Sequence, residues 1–505
     1  MLRLSLLTLA LLPLLALADN PETLTERSNE RARGVIDAAA VAMGGAEAIQ
    51  NVKVLQLTLE GETWPRLQMQ TPQAPYQDGY SKEVLLLDLA NSRVKLQTTL
   101  RGNGFENNGT VVLKRGEGTS YDHRARSMTP VPAAQASQQQ FVQYQRRLPN
   151  LILRQALDRP TSLRYLGEET FNGAPHDVVT FVMPDTQQIA LYIDAKTRLI
   201  SKYDLIYVDP LTGDEASEVL FSDYTDSGGV KVPRRWEFRQ AGEVASRFSA
   251  QVAINPTISD ATFEVAADGY AKAQPVPTEL PQRVEDLGGG VYVIHNGAGQ
   301  NQNTLAIAFE DFVLAVEAPG SSAGAENVIR RIKETIPGKP IRYIAMTHHH
   351  GDHIGGLRSF IAEGATVVTT PGNRDVVEKL AQAPQKDRLA RAPRTPEFLF
   401  VEKGRRIISD GKQTVEFLDI GPHPHARELL VAYLPKQRLL FQGDLFAMPN
   451  NDAPLGPPQE SSLAFAQFLK SKKLRVDKIA SVHGRTVSIE EFTQAVQPGA
   501  PTASR

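Results

Sequence analysis

Apolar positions recur at helical spacing over residues 33–52, where Val35, Ala38, Ala39, Val41 and Ala42 share a face and Gly44-Gly45 interrupts it. From Val54 to about Phe263 the pattern changes to alternation, as in 54–59, 84–89, 162–167, 176–182, 189–193 and 218–224. Between these runs, Phe171-Asn172-Gly173 and Asp226-Ser227-Gly228-Gly229 have the chemistry of hairpin turns. Short alternating strands joined in this way predict an antiparallel sheet with one buried face. Residues 135–157, richer in Gln, Arg and Leu, read as a helical interruption.

Pro275, Pro277 and Pro281, set among small and polar residues, mark 266–284 as a linker. Beyond it, strands at 291–294, 305–316, 341–346 and 366–369 are interspersed with helices at 325–335, 357–362 and 374–381. Alternating strand and helix predict a layered α/β architecture. Residues 382–396, rich in Pro, Arg and Ala, read as an insertion or lid, with a disordered stretch as the alternative. The chain is therefore expected to be α+β overall: a β-rich domain over 19–265, the linker, a second domain over 285–497 and a disordered tail at 498–505.

Composition narrows the classes. A chain of 505 residues with 41% hydrophobic positions can bury two cores. Its 55 basic and 57 acidic residues nearly cancel, which gives no electrostatic footprint for nucleic acid. Arg3 followed by the apolar run to Leu15 and by Ala16-Leu17-Ala18 predicts a signal peptide over 1–18, hence a periplasmic or secreted protein. No later stretch approaches a membrane span. With no cysteine in the chain, disulfides, a thiolate nucleophile and any thiolate metal site are excluded.

The chemistry concentrates in one place. Of ten histidines, four fall in the run Thr347-His348-His349-His350-Gly351-Asp352-His353-Ile354-Gly355-Gly356, directly after the apolar strand at 341–346. In extended backbone His348 and His350 point to one side and His349 to the other. Gly351 lets the chain turn so that Asp352 and His353 come round beside them. Imidazole and carboxylate are the ligands of choice for zinc when thiolate is absent.

His-x-His-x-Asp-His after a strand and before Gly-Gly resembles the signature of the metallo-β-lactamase fold superfamily, and the resemblance extends over roughly 285–496. It implies a C-terminal αββα sandwich and further ligands downstream in order. Gly421-Pro422-His423-Pro424-His425 before the strand at 429–434 resembles the third-histidine segment; the family's spacing favours His425, with His423 the fallback. Gly443-Asp444 after an apolar strand resembles the bridging aspartate, and His483-Gly484 the last ligand. The resemblance then implies one cation on His348, His350 and His425 and a second on Asp352, His353 and His483, with Asp444 shared and Asp352 as a proton relay. Zn2+, two per chain, is the expected cofactor, with iron or manganese as alternatives. Glu317 is a candidate to hold the second nitrogen of a ligand histidine, its other reading being a surface carboxylate.

The implied activity is hydrolysis by a metal-bridging hydroxide, with an ester, thioester, lactone or lactam bond of a small-molecule substrate as the target. Two alternatives stand beside it: an iron-dependent redox enzyme on the same fold, and a carrier of an apolar ligand with a non-catalytic metal domain. Gly167, the run at 191–194, and 221–224 through Pro233 give the first domain a rhythm similar to periplasmic lipoprotein-carrier-like sheets. No residue there has the chemistry of a catalytic group; His123 and His176 read as isolated surface or core histidines. Asn296–Asn303 is a candidate for the pocket mouth or a plain flexible turn, and Arg427 for an anion contact or a surface arginine.

Overall fold

The computed structural model describes residues 22–497, apart from 115, 134–135, 137, 210, 276–280, 298–301 and 450. The leader expected at 1–18 and the tail expected at 498–505 lie outside the described residues.

Alternation in the first half of the chain builds one 14-stranded sheet. Its middle strand, Val54–Thr63, pairs antiparallel with Gly79–Asp88 on one side and with Glu243–Ile254 on the other, which joins two meanders edge to edge. Leu55, Leu57 and Leu59 are buried, whereas Gln56 between them is exposed, as a period of two requires. The buried face is covered by the helices Leu24–Ala42, Ala46–Gln50 and Pro149–Leu157, whose Ile36, Ile49, Leu151 and Ile152 join Leu55, Leu87, Val179 and Leu191 in a single core. The first helix starts at Leu24, well before 33, because the reciprocal Thr23–Glu26 capping box sets its start. The stretch 135–157 holds two helices, Gln138–Gln145 and Pro149–Leu157, the second opened by proline at its first position. Within the expected linker, Ala271–Lys272 adds a short parallel edge strand beside Ser127–Pro130.

The second half stacks a 7-stranded sheet on a 6-stranded one. Val293, Leu305 and Leu314 of the first meet Phe417, Ala432 and Phe441 of the second in a shared inner core. Helices Ser322–Thr335, Leu357–Glu363 and Arg374–Gln382 cover the outer face of the first sheet. Helices Glu460–Lys472 and Ile489–Ala495 cover that of the second through Phe465 and Phe492. The result is the four-layered αββα arrangement.

Residues 382–396, expected as an insertion or lid, form a segment packed against the second domain. Arg388–Arg391 is a helical turn capped by Asp387, and Leu389 is buried in the core of the first sheet's outer layer. The segment is held down by the buried Arg358, whose guanidinium grips Asp387. No helix among the described residues is long and apolar enough to cross a membrane.

Candidate metal centre

Ends of strands from both inner sheets converge at one edge of the sandwich. Strand Ile341–Ala345 runs into 347–350 and then the single helical turn Gly351–Ile354. The two glycines that follow that turn pack directly on the backbone of 319–320: a Cβ on Gly355 would lie 2.2 Å from the Gly320 oxygen and one on Gly356 2.5 Å from that of Pro319. Only glycine permits such an approach. His425 precedes strand Leu430–Leu434, Asp444 follows Leu439–Gln442, and His483 follows Lys478–Ser481. The Leu430 N–H donates to the Thr347 carbonyl at 2.8 Å and stitches the two sheets together at this edge.

Two groups of side chains form there. The ligating atoms of His348, His350, His425 and Asp444 lie within 4.8 Å of one another, and so do those of Asp352, His353, Asp444 and His483. Asp444 belongs to both. His348 Nε2 and His425 Nε2 face each other at 3.1 Å. His353 Nε2 is 3.2 Å from the Asp444 carboxylate and 3.4 Å from that of Asp352, and His483 Nε2 is 3.2 Å from Asp352 and 3.4 Å from Asp444. His350 Nδ1 is buried without a hydrogen-bond partner among the described residues, while His353 Nε2 and Asp444 Oδ1 meet only the carboxylates and imidazoles of the cluster itself. Burying such atoms is costly unless something else engages them. An all-nitrogen and oxygen set of this kind fits zinc or a similar divalent cation.

The electrostatics agree with that fit. Burial, reinforced by the neighbouring imidazoles, holds His348 and His350 well below the usual histidine range, so both present neutral rings. Burial alone would push Asp444 up, but His353, His425 and His483 outweigh it and keep the carboxylate ionised. Asp352 is likewise held down, against its own burial, by His353, His483 and Gln68. Around His353 burial opposes a charge, yet the carboxylates of Asp444, Glu317 and Asp352 prevail and favour a positive charge at this point, a proton on the ring or a cation in its place. The point between these groups calls for a positive charge, which a divalent cation supplies.

Glu317 is fully buried and holds His353 from behind. One carboxyl oxygen lies 2.5 Å from His353 Nδ1, and the other accepts the Thr347 N–H at 2.5 Å. Both Glu317 (φ 74°) and Asp444 (φ 57°) occupy the left-handed region, a strain typical of positions that the surrounding structure over-determines.

His349 and His423 stay outside both groups. Burial pushes His349 down to about 4, partly offset by the backbone of Met69 and Thr71. His423 supports His425 instead: its Nδ1 accepts the His425 N–H at 3.2 Å, and its Nε2 donates to the Ser461 carbonyl at 3.1 Å. Arg427 is exposed, with its backbone N–H tied to the Gln70 carbonyl. His123 bonds to Thr110 and Tyr270, and His176 to Ser201 and the Ala174 carbonyl, all in the first domain, and neither belongs to a donor group. Much of the 296–303 loop lies outside the described residues, but its end has a bracing role. Gln302 donates to the Asp352 carbonyl at 2.5 Å, and the Asn303 amide bonds the carbonyls of Ser481 and Gly484 around His483. Sequence reasoning passed over these contacts, and over Gln68, whose amide reaches Asp352 from the first domain at 2.9 Å.

The model of the metallo-beta-lactamase superfamily matches residues 319–483, the stretch from just past the strand end at Glu317 to the last histidine. A curated relative, 2,4-dinitroanisole O-demethylase subunit alpha of Nocardioides sp. (strain JS1661), is 28% identical over 176 residues, 34% of this chain. The match spans 49% of that protein, about half its length. Similar solved structures include the mono-zinc metallo-β-lactamase FIM-1 from Pseudomonas aeruginosa, 22% identical over 43% of this chain and 94% of that one, with a TM-score of 0.33. Another is the sec-alkylsulfatase Pisa1 from Pseudomonas sp., 16% identical over 42% of this chain and 40% of that one, with a TM-score of 0.32. With the motif, the layered fold and the family match in agreement, the chain carries a C-terminal metallo-β-lactamase superfamily domain, matched over residues 319–483.

Proposed function

We propose that this protein is a dinuclear zinc hydrolase that cleaves an ester, thioester, lactone or lactam bond in a small molecule. The observation that carries the reading is Asp444, shared between two groups of nitrogen and oxygen donors that lie side by side. His348, His350 and His425 would hold one cation, Asp352, His353 and His483 the other, with Asp444 serving both. When bound, such a pair lowers the pKa of water and stabilises negative charge developing on a substrate oxygen. The remaining work falls to the chain itself. Neutral His348 and His350 offer lone pairs with no proton to displace. Glu317 fixes the ring of His353 through Nδ1, so that Nε2 faces the cluster. Asp352 is ionised and its side chain is the most open of the group at 36%, which suits it to accept the proton of the attacking water and pass it to the leaving group. The leader expected at 1–18 supports action in the periplasm or outside the cell.

A panel of lactones, thioesters, aryl esters and β-lactams tests the reading on zinc-loaded protein. The Nocardioides relative is named for O-demethylation, so an aryl methyl ether belongs on the same panel. The His348→Ala, His350→Ala double variant is expected to lose turnover of whichever substrate the native protein accepts. Full activity in the double variant would overturn the assignment.

A further inference from the structure

The first domain is joined to the metal centre by a segment in which four successive residues, 67–70, each place a polar group across the boundary. The connection between Val54–Thr63 and Gly79–Asp88 leaves its own sheet and lies against the segments that carry the candidate ligands. The Leu67 carbonyl accepts the Gly351 N–H at 2.8 Å. Gln68 Nε2 donates to Asp352 Oδ1 at 2.9 Å, and the Met69 carbonyl lies 3.0 Å from His350 Nε2. Gln70 donates to the Pro424 carbonyl at 2.6 Å and accepts the Arg427 N–H at 2.8 Å, on either side of His425. Though they sit in a connecting loop, Leu67 and Met69 are only 5% and 3% exposed, and Leu67 belongs to the hydrophobic core of the second domain.

The neighbouring hairpin holds this segment in place. Asn103, at its tip, donates to the Gln68 carbonyl, and the Gly104 carbonyl accepts the Ser461 N–H at 3.1 Å. Gly104 has φ +74°, and a Cβ there would lie 2.7 Å from Pro424 Cβ. Phe105 then places its ring edge-on against His425, with centroids 5.3 Å apart at 87°.

Two of these contacts determine which atoms face the cluster. A carbonyl can only accept, so His350 donates from Nε2 to Met69 and keeps its lone pair on Nδ1, the buried atom without a partner among the described residues. The Gln68 amide engages one oxygen of Asp352 and leaves Oδ2 facing His353 and His483. We propose that Gln68 and the Met69 carbonyl are positioning groups of the metal centre, which makes the first domain a built-in half of that centre. This rests on the two-cation reading above. Within the second domain, Gln302 holds the backbone of Asp352 and the imidazoles of His353 and His483 face Oδ2; Oδ1 is held from the first domain, by Gln68.

Cobalt titration of full-length, metal-free protein, read by visible absorption and by chelator competition, tests the proposal independently of any substrate. Native protein is expected to take up two cobalt ions. Gln68→Ala, and Gln68→Met, which keeps the bulk and removes the donor, are expected to bind one ion as before. The other ion, held by Asp352, His353 and His483, is expected to bind about 10–100-fold more weakly with an altered spectrum. Native affinity for both ions in these variants would overturn the proposal while leaving the hydrolase reading intact. Equal weakening of both ions together with a lowered melting temperature would also overturn it, because it would reduce Gln68 to interface packing. Failure of the native protein to bind a pair would defeat the two-cation reading itself.

Discussion

Replacing Asp444 with alanine is expected to lower kcat/KM by roughly a thousandfold or more on any substrate the protein hydrolyses. Asp444 is the residue common to both donor groups, so its loss breaks both at once. Stabilisation of transition-state charge by a metal centre is worth several kcal/mol, and about 4 kcal/mol corresponds to roughly a thousandfold in rate. The loss should fall mainly on kcat, since the carboxylate supports the reacting centre and not the remote parts of a substrate. Asp444→Asn keeps the shape but not the charge that His353, His425 and His483 surround, and it should be nearly as damaging. Steady-state kinetics beside metal analysis separates this outcome from simple unfolding.

The largest expected effect on stability lies elsewhere, at Arg358. Its side chain is 2% exposed, donates to both oxygens of Asp387 at 2.6 and 2.9 Å, and donates to the carbonyls of Leu380 and Ala381 at 2.8 Å each. Arg358→Ala leaves the Asp387 carboxylate without its counter-charge, held only by Ser322 and the Ala390 N–H, and removing one partner of such a buried pair costs about 3–5 kcal/mol. Denaturant unfolding of the full chain measures it; a change below about 1 kcal/mol would contradict the role assigned to the pair. The pH dependence has a definite sign. Burial raises the Asp387 carboxyl, but the bonds from Arg358, the Ala390 N–H and Ser322 outweigh it and hold the group down at about 2. A carboxyl lowered in the folded state adds stability above its unfolded value near 4, which is lost as pH falls towards about 2. Asp387→Asn should therefore flatten the acid limb of the stability curve in that window.

Where the chemistry was local, the sequence was readable. His348, His350 and His353 belong to a scarce residue type and stand with Asp352 at a strand end, and Asp444 and His483 each follow an apolar strand. The first sheet announced itself through its alternation, as at Leu55, Leu57 and Leu59. Long-range partners were what stayed hidden. Gln68 sits in a polar connection and looks like any loop residue until Asp352 is found opposite it, and Met69 contributes through its backbone carbonyl, which no side-chain pattern can reveal. Arg358 reads as a charged position on a helix until Asp387, in a stretch taken for a lid, buries it. His423 and His425 are told apart by direction: one bonds the Ser461 carbonyl, the other faces His348.

The dinuclear centre is tested most directly by the metal content of full-length protein, measured by elemental analysis with Asp444→Ala in parallel. Two zinc ions per chain, falling to one or fewer in the variant, is the expected result. One iron per chain, unchanged by the variant, would contradict a zinc pair bridged by Asp444.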